Sequence, residues 1–122
     1  MNYGSYRQLE AWEIDRLLVQ ANLCRIAFSE GVQPYLLPMN CKAEKTPEDG
    51  YVFRLNSRVY GMKMQYLEAN RRVALEFERH TPEGVESVVA FGIVRFHLPP
   101  TEGGKAEWKV EPFQISGRYY GK

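Results

Sequence analysis

The sequence has few of the residues that dominate metal and redox sites. Only two cysteines, Cys24 and Cys41, and two histidines, His80 and His97, occur among its 122 residues. The cysteines fall on separate predicted strands, and the histidines lack the spacing typical of a shared metal site. We therefore expect no metal centre, and we interpret the cysteines as structural thiols rather than as a disulfide or a redox pair.

An excess of charge of one sign and long hydrophobic segments are also lacking. Sixteen Lys and Arg against fifteen Asp and Glu give a formal net charge of +1, so no global field favours nucleic acid or an acidic membrane surface. The apolar runs are too short to span a bilayer, and the charged N-terminal stretch does not resemble a signal or transit peptide. We expect a cytoplasmic protein in which any anion is bound by local groups.

Familiar catalytic patterns are missing as well. The sequence contains no Ser/His/Asp set, no paired carboxylates at a spacing typical of acid and base catalysis, and no glycine-rich nucleotide fingerprint. Hydrolytic and kinase-type chemistry therefore have no support. The length of 122 residues and the 44% apolar content predict a single domain over residues 1–122 with one core.

What the chain does have is a succession of short strand patterns. A helix comes first, because Ile14, Leu17, Leu18 and Ala21 recur at spacings of three and four, although no good N-cap precedes it. Strand patterns follow over residues 24–30, 34–44, 51–56, 73–79, 85–98 and 106–116, joined mostly by hairpins. Closure would remove exposed sheet edges, so this order favours a mainly β protein, a small six-stranded antiparallel barrel with a few short helices.

Two positions interrupt the strand patterns. Pro38 cannot donate a ladder hydrogen bond, so it indicates an edge, a bulge or a place where the sheet opens. Gly92 lies inside the longest strand pattern, where a bulge or sharp bend would fit.

A short helix ending near Asn70 separates the third and fourth predicted strands. It opens with Gly61 and Lys63. A helix start exposes backbone N–H groups and the positive end of the peptide dipole, so these residues form a candidate phosphate site. Taken alone, the spacing is weak evidence.

Four stretches, taken in order, resemble the pyridoxamine 5′-phosphate oxidase-related, FMN-binding split-barrel family, and especially its nitroimidazole-reductase-like branch. They are "CRIAFSEGVQPYLLPMNC", "YVFRLNSRVYGMK", "YLEANRRVALEFE" and "SVVAFGIVRF". No single motif is specific, and the resemblance depends on their order and spacing. The matching positions are Pro34, Tyr35, Pro38, Asn40, Gly61, Lys63, Leu67, Asn70, Val73, Leu75, Ser87, Val88 and Gly92.

The resemblance implies a split barrel that forms a homodimer, with FMN between the two chains. It implies that Gly61 and Lys63 hold the phosphate, near the end of the third strand. The isoalloxazine ring would lie against the second strand, with part of the fifth nearby. The residues implied at the ring are Pro38, Met39, Asn40, Ser87 and Val88.

The sequence departs from the family at two points. Arg54 stands where the nitroimidazole-reductase branch usually carries a histidine, so we do not expect reduction of nitro compounds. Arg54 and Arg58 could instead form bidentate contacts to phosphate, whereas a surface ion pair is the alternative for Arg54. The C-terminal region is shorter than vitamin B6 synthesis by this family requires, so that activity is not expected.

Two classes of function stay open. The first is an FMN-dependent oxidoreductase of unknown substrate, reduced by a nicotinamide cofactor or a reductase partner. The second is a flavin- or haem-binding protein without turnover, which would act as a sensor, carrier or store. The lack of a strong acid or base at the expected ring positions favours the second slightly, and deazaflavin is a third possibility for the cofactor.

Overall fold

The computed structural model of the protein describes residues 5–29, 31–58, 62–97 and 105–121. These residues form seven strands and two helices. In chain order the elements are β1 (Tyr6–Gln8), α1 (Ala11–Gln20), β2 (Leu23–Phe28), β3 (Tyr35–Lys45), β4 (Tyr51–Arg58), α2 (Met62–Ala69), β5 (Arg72–Thr81), β6 (Gly84–His97) and β7 (Lys105–Gly121).

Six strands close into an antiparallel barrel. The strand order is β7-β4-β3-β2-β5-β6, and β6 pairs again with β7 to complete the ring. This confirms the predicted mainly β, six-stranded antiparallel barrel with short flanking helices. The small strand β1 was not predicted; it adds to the end of β7, where Tyr6 pairs with Tyr120. Its three residues are all exposed, so they carry no alternation that a sequence pattern could reveal.

Alternation along the strands builds the core. In β5, Val73, Leu75 and Phe77 are buried, as the period of two predicts. Trp108 of β7 is fully buried, and its ring meets Phe28 of β2 edge-on at a centroid distance of 5.9 Å. Since these side chains come from strands on different sides of the ring, the barrel interior is a packed core.

The two helices pack at opposite ends of the barrel. Helix α1 buries Leu17 and Leu18 where β2 begins, which confirms the apolar face predicted for it. Helix α2 lies at the end where β2 stops, and its Tyr66 stacks on Tyr35 at 5.5 Å and contacts Phe28. No helix among the described residues is long and apolar enough to cross a membrane.

A β-bulge lies between β6 and β7 at Gly92, and its extra residue, Phe113, is on β7. The register between β6 and β7 shifts between Phe91 and Gly92. A Cβ atom on Gly92 would lie 2.8 Å from the Glu111 carbonyl oxygen and 2.8 Å from a Val110 methyl carbon. Glycine is therefore required for this close approach, and of the bulge or bend predicted at Gly92 the structure shows a bulge, with the extra residue on the partner strand β7.

Two buried carboxylates attach α1 to the sheet. Glu86 of β6 accepts hydrogen bonds from Arg16 of α1 at 2.9 Å and from Arg79 of β5 at 2.7 Å. Glu13, in the first turn of α1, accepts a fork of bonds from Arg7 of β1 at 2.8 and 2.9 Å. The helix start, for which the sequence offered no good N-cap, is thus stabilised by the Glu13 carboxylate, which also accepts from the Glu10 N–H at 2.9 Å.

We expect Glu13 to make stability dependent on acid pH. The hydrogen bonds from Arg7 and then from the Glu10 backbone lower the pKa of Glu13 to about 2. A lowered folded-state pKa gives stability that is present above the unfolded pKa of about 4.3 and lost as the pH falls towards 2. Glu13→Gln should lower the free energy of unfolding by about 1 to 2 kcal/mol at pH 7, because Arg7 is half exposed and screened.

Urea unfolding between pH 7 and pH 2 measures this effect. The difference between wild type and Glu13→Gln should shrink as the pH falls through this range. Glu48→Gln, at an exposed turn, is the control and should change stability little at any pH. A difference of constant size at all pH values would contradict the role of the Glu13 carboxylate.

Candidate functional site

The barrel opens between β3 and β4. The described pairing of β3 with β4 runs from Lys45↔Tyr51 to Asn40↔Asn56 and stops there. β3 continues beside β2 as far as Tyr35, whereas β4 continues beside β7 as far as Arg58. The two strands therefore separate at Asn40 and Asn56, and the sheet is split from this point onwards.

Pro38 lies on the β3 side of the split. Its missing N–H removes a ladder donor, and of the edge, bulge or opening that this residue indicated, the structure shows an opening beside it. Backbone groups that face the gap have no partner in the described β4 ladder and are left for water or a ligand. We call Pro38, Met39, Asn40 and Asn56 the split residues.

The split residues present their side chains to different sides of the sheet. Pro38 and Asn40 are exposed on the outer surface of the barrel. Met39 is 5% exposed and belongs to the core, so only its backbone is available to a ligand outside the barrel. Alternation along β3 predicts this arrangement once the inner face is known.

The other predicted ring residues lie three strands away, on β6. Val88 is fully buried in the core. Ser87 is half-buried, and its hydroxyl donates to Glu76 Oε2 at 2.8 Å. At a spacing of about 4.8 Å between strands, β6 is about 14 Å from β3 along the barrel surface. Within one chain, Ser87 is therefore close to neither Pro38 nor Asn40.

A network of charged side chains surrounds Ser87 and was not identified from the sequence. Arg25 of β2 donates to Glu76 at 2.9 Å and lies 3.3 Å from Glu78. Glu78 is 3.0 Å from His80 Nε2. Burial raises the pKa of Glu76. A titratable acid and a histidine thus lie beside one predicted site residue.

Part of this network has a signal in the sequence. Glu76, Glu78 and His80 alternate along β5, so the pattern places them on one face. Arg25 joins them because the β2–β5 register sets it opposite Glu76. That register is a long-range feature, and no local pattern predicts it.

The predicted phosphate residues lie around the end of β4 and the start of α2. Arg58 is the last residue of β4. Lys63 is the second residue of α2, but its side chain and that of Arg58 lie outside the described part of the chain, as does Gly61 altogether. The end of β4 and the start of α2 are only four residues apart, which limits their separation to about 14 Å. The helix start therefore lies within about 14 Å of the end of β4, the strand that forms one side of the split.

Arg54 forms the surface ion pairs that were the alternative to a phosphate role. Its Nε donates to Glu44 at 2.9 Å and its Nη1 to Glu107 at 2.8 Å. These bonds raise the pKa of Arg54, the bond to Glu44 contributing most. A phosphate ligand would have to compete with two carboxylates for this guanidinium.

The two cysteines are free and buried. Cys24 pairs with Met39 in the ladder, and the Cys41 N–H donates to the Asn22 carbonyl at 3.0 Å, so the two cysteines are diagonal neighbours. Diagonal Cα atoms are about 7 to 8 Å apart, beyond the usual reach of a disulfide. The hydrogen bond between the thiols, and then burial, raise the pKa of Cys41. This geometry agrees with structural thiols.

Comparison with known proteins adds a family match. A family model described as pyridoxamine 5′-phosphate oxidase matches residues 10–118. No curated protein sequence matches this chain.

Several solved structures share the fold. An FAD-binding protein from Mesorhizobium loti is 22% identical, with 93% of this chain and 97% of that chain covered and a TM-score of 0.78. The FAD-binding protein from Mycobacterium smegmatis is 24% identical, with coverage of 95% and 99% and a TM-score of 0.70. A proposed 5-nitroimidazole antibiotic resistance protein from Bacteroides thetaiotaomicron is 17% identical, with coverage of 98% and 92% and a TM-score of 0.75. At these identities the similarity shows the fold alone.

Proposed function

The chain belongs to the pyridoxamine 5′-phosphate oxidase family, and from this premise we propose that it binds FMN at the split and uses it to oxidise or reduce a small molecule. The observation that carries the proposal is the separation of β3 from β4 at Asn40 and Asn56, with the start of α2 within about 14 Å of the end of β4. It supplies unpaired backbone for the edge of a flavin and a helix start for an anion.

Each group of residues would have a separate task. The outer surface at Pro38 and Asn40 would hold the isoalloxazine ring, with Asn40 as its hydrogen-bonding side chain. Lys63, Gly61 and Arg58 would hold the phosphate. Arg54 would stay with Glu44 and Glu107, since releasing it would leave two carboxylates without their partner.

The identity of the flavin is part of the proposal. Two of the structurally similar proteins bind FAD, whereas the sequence motifs resemble those of FMN proteins. FMN ends in a phosphate monoester, which a lysine at a helix start fits well. The flavin supplies the redox chemistry, and the protein supplies its position and electrostatic surroundings.

We propose a homodimer in which a second chain completes the site. An apolar row crosses the outer surface of the barrel: Leu36, Ala27, Ala74 and Phe91 follow one another across β3, β2, β5 and β6. Leu36 is 62% exposed and Phe91 41% exposed, which a monomer would leave in water. If two chains contact each other through this row, Ser87 of one chain would lie closer to the split of the other.

Binding without turnover is the second candidate function. The split residues Pro38, Met39, Asn40 and Asn56 include no acidic or basic side chain, which agrees with binding without turnover. Turnover is favoured if the second chain brings its His80 and Glu78 to the ring, since these groups can exchange protons. The two candidates therefore differ in whether the network around Ser87 takes part.

The first test measures the affinity of apoprotein for FMN, FAD and riboflavin by flavin fluorescence. A charge-assisted hydrogen bond contributes about 1.5 to 3 kcal/mol, so Lys63→Ala should weaken FMN binding about 10-fold to 150-fold. Riboflavin, which lacks the phosphate, should bind this variant as well as wild type. Asn40→Ala should weaken all three ligands, because the ring is common to them.

Two variants serve as controls in this titration. Lys42→Ala removes a nearby positive charge on β3 that is bound to Asn22 and should leave FMN affinity unchanged. Arg54→Ala should also leave it unchanged, and a loss as large as that of Lys63→Ala would make Arg54 a phosphate ligand. Equal weakening of FMN and riboflavin by Lys63→Ala would contradict the phosphate assignment. A Soret band in the purified protein would instead indicate haem.

A second test decides between turnover and binding alone. Nicotinamide cofactors and cellular reductases are mixed with the FMN-loaded protein, and bleaching of the flavin band is followed by stopped flow. We expect bleaching by one such donor and recovery with a small electron acceptor. If none of the donors reduces the flavin, the protein would instead be a flavin-binding sensor, carrier or store.

The third test concerns the dimer. Sedimentation at micromolar concentration should give a dimer of the 14.2 kDa chain, with an interface above about 2,000 Å². Phe91→Lys should weaken the dimer, because it places a charge in the apolar row, whereas Phe113→Lys, at another exposed aromatic, should not. A wild-type monomer would exclude a site shared between chains.

A further inference from the structure

A groove at the α1 end of the barrel is distinct from the split. It lies between α1 and the hairpin of β3 and β4, and its volume is about 460 Å³. Small-molecule sites typically occupy 300 to 1,000 Å³ and have mainly apolar walls. The residues that line the groove are Trp12, Asp15, Arg16, Val19, Ala43, Lys45 and Tyr51.

The α1 wall is built around Trp12. The indole is 57% exposed, yet it is held in place on two sides. Its Nε1 donates to Glu10 Oε2 at 2.7 Å, and the Arg16 guanidinium lies 5.0 Å from its ring centre. Glu86 in turn holds Arg16. A fixed and exposed indole is a preformed stacking surface.

The sheet wall presents a donor next to an acceptor. Lys45 lies over the Tyr51 ring at 4.9 Å and is bound to Asp15 across the groove, with 3.3 Å between its Nζ and Asp15 Oδ1. Lys45 also binds Asp49 at 2.7 Å. The ammonium and the Asp15 carboxylate thus form a neighbouring hydrogen-bond donor and acceptor.

The cations of the groove already have carboxylate partners. Both cations are paired, Arg16 with Glu86 and Lys45 with Asp15 and Asp49. An anionic ligand would lose hydration without gaining a free cation, and a cationic ligand would have to compete with Lys45 for Asp15. A neutral aromatic ring with an amide edge would meet no such cost, because its C=O can accept from Lys45 while its N–H donates to Asp15.

From this arrangement we propose that the groove is a second binding site, which takes a neutral aromatic amide. The ring stacks on Trp12 and packs against Val19 and Ala43, and the amide binds the Asp15–Lys45 pair. The groove is separate from the proposed flavin site, because Lys45 is five residues beyond Asn40 on β3, about 17 Å along the strand.

Three small probes of nearly equal shape test the proposal. Benzamide is neutral, benzoate is an anion and benzylamine is a cation at pH 7. Binding is followed on the full chain by the indole N–H signals of its two tryptophans. Benzamide should bind in the millimolar range expected of a ligand this small, several-fold more tightly than either ion, and should shift the Trp12 signal. The signal of the fully buried Trp108 should stay in place and report that the fold is intact.

Variants assign the binding to the groove. Trp12→Ala and Asp15→Ala should each weaken benzamide binding at least about tenfold, as measured from the line widths of the ligand signals. Tyr6→Ala is a matched control, since Tyr6 is also an exposed aromatic beneath an arginine, Arg118, and it should leave benzamide affinity unchanged. Trp12 is a surface residue, so its loss should not unfold the chain.

Three outcomes would overturn the proposal. The first is no shift of the Trp12 signal at saturating benzamide. The second is tighter binding of either ion, which would mean that the paired charges of the groove remain available to an ionised ligand. The third is displacement of benzamide by FMN, which would make the groove part of the flavin site. If FMN fails to bind anywhere while benzamide shifts Trp12, the flavin proposal fails and the groove proposal stands.

Discussion

Closure of the sheet through the pairing of β6 with β7 is the constraint on which the other features depend. A closed sheet has no free edge that could pair with another chain, and it fixes which side of each strand faces the core. Closure requires β6 to approach β7 closely at Gly92. Gly92 permits this, because any side chain there would collide with the Glu111 backbone.

Within this closed frame, the gap between β3 and β4 is a local exception. β3 keeps its partner β2 and β4 keeps its partner β7, so each strand is held on one side while the other side is free. Rigid neighbours thus position a stretch of unpaired backbone. Sites of this kind lose little conformational entropy when a ligand binds, since the strands are already ordered.

The helix α1 depends on buried charge as well as on apolar packing. Glu13 and Glu86 are both nearly inaccessible to water, and each is compensated by arginines from neighbouring elements. Losing Arg7 would leave the buried charge of Glu13 without its arginine, which is far more costly than losing a surface ion pair. Glu86, by contrast, is held by both Arg16 and Arg79. The same arginine, Arg16, also supports the exposed indole of Trp12, so one network holds the helix and shapes the groove beside it.

Local patterns in the sequence were sufficient to predict most of the helices and strands. The strand patterns located the six strands of the barrel, and the spacing of three and four identified the apolar face of α1. Pro38 and Gly92 marked the opening and the bulge because both act on the backbone itself. The ordered motifs pointed to the family that the match over residues 10–118 shows. Strand β1 was not predicted, because its three residues are all exposed and show no alternation of buried and exposed positions.

Relations between strands distant in sequence were decided by the tertiary structure alone. The two ion pairs of Arg54, with Glu44 of β3 and Glu107 of β7, depend on the pairing of three strands, which no local pattern predicts. Arg25 lies beside Glu76 because of the register of β2 with β5. Trp12 lines the same groove as Lys45 and Tyr51 because of the way α1 packs on the sheet. The sequence by itself determined which residues face inwards and where the backbone is interrupted, because those properties follow from neighbours along the chain. Only the folded barrel decided which charges meet, because that depends on how the strands are registered and on how the ring closes.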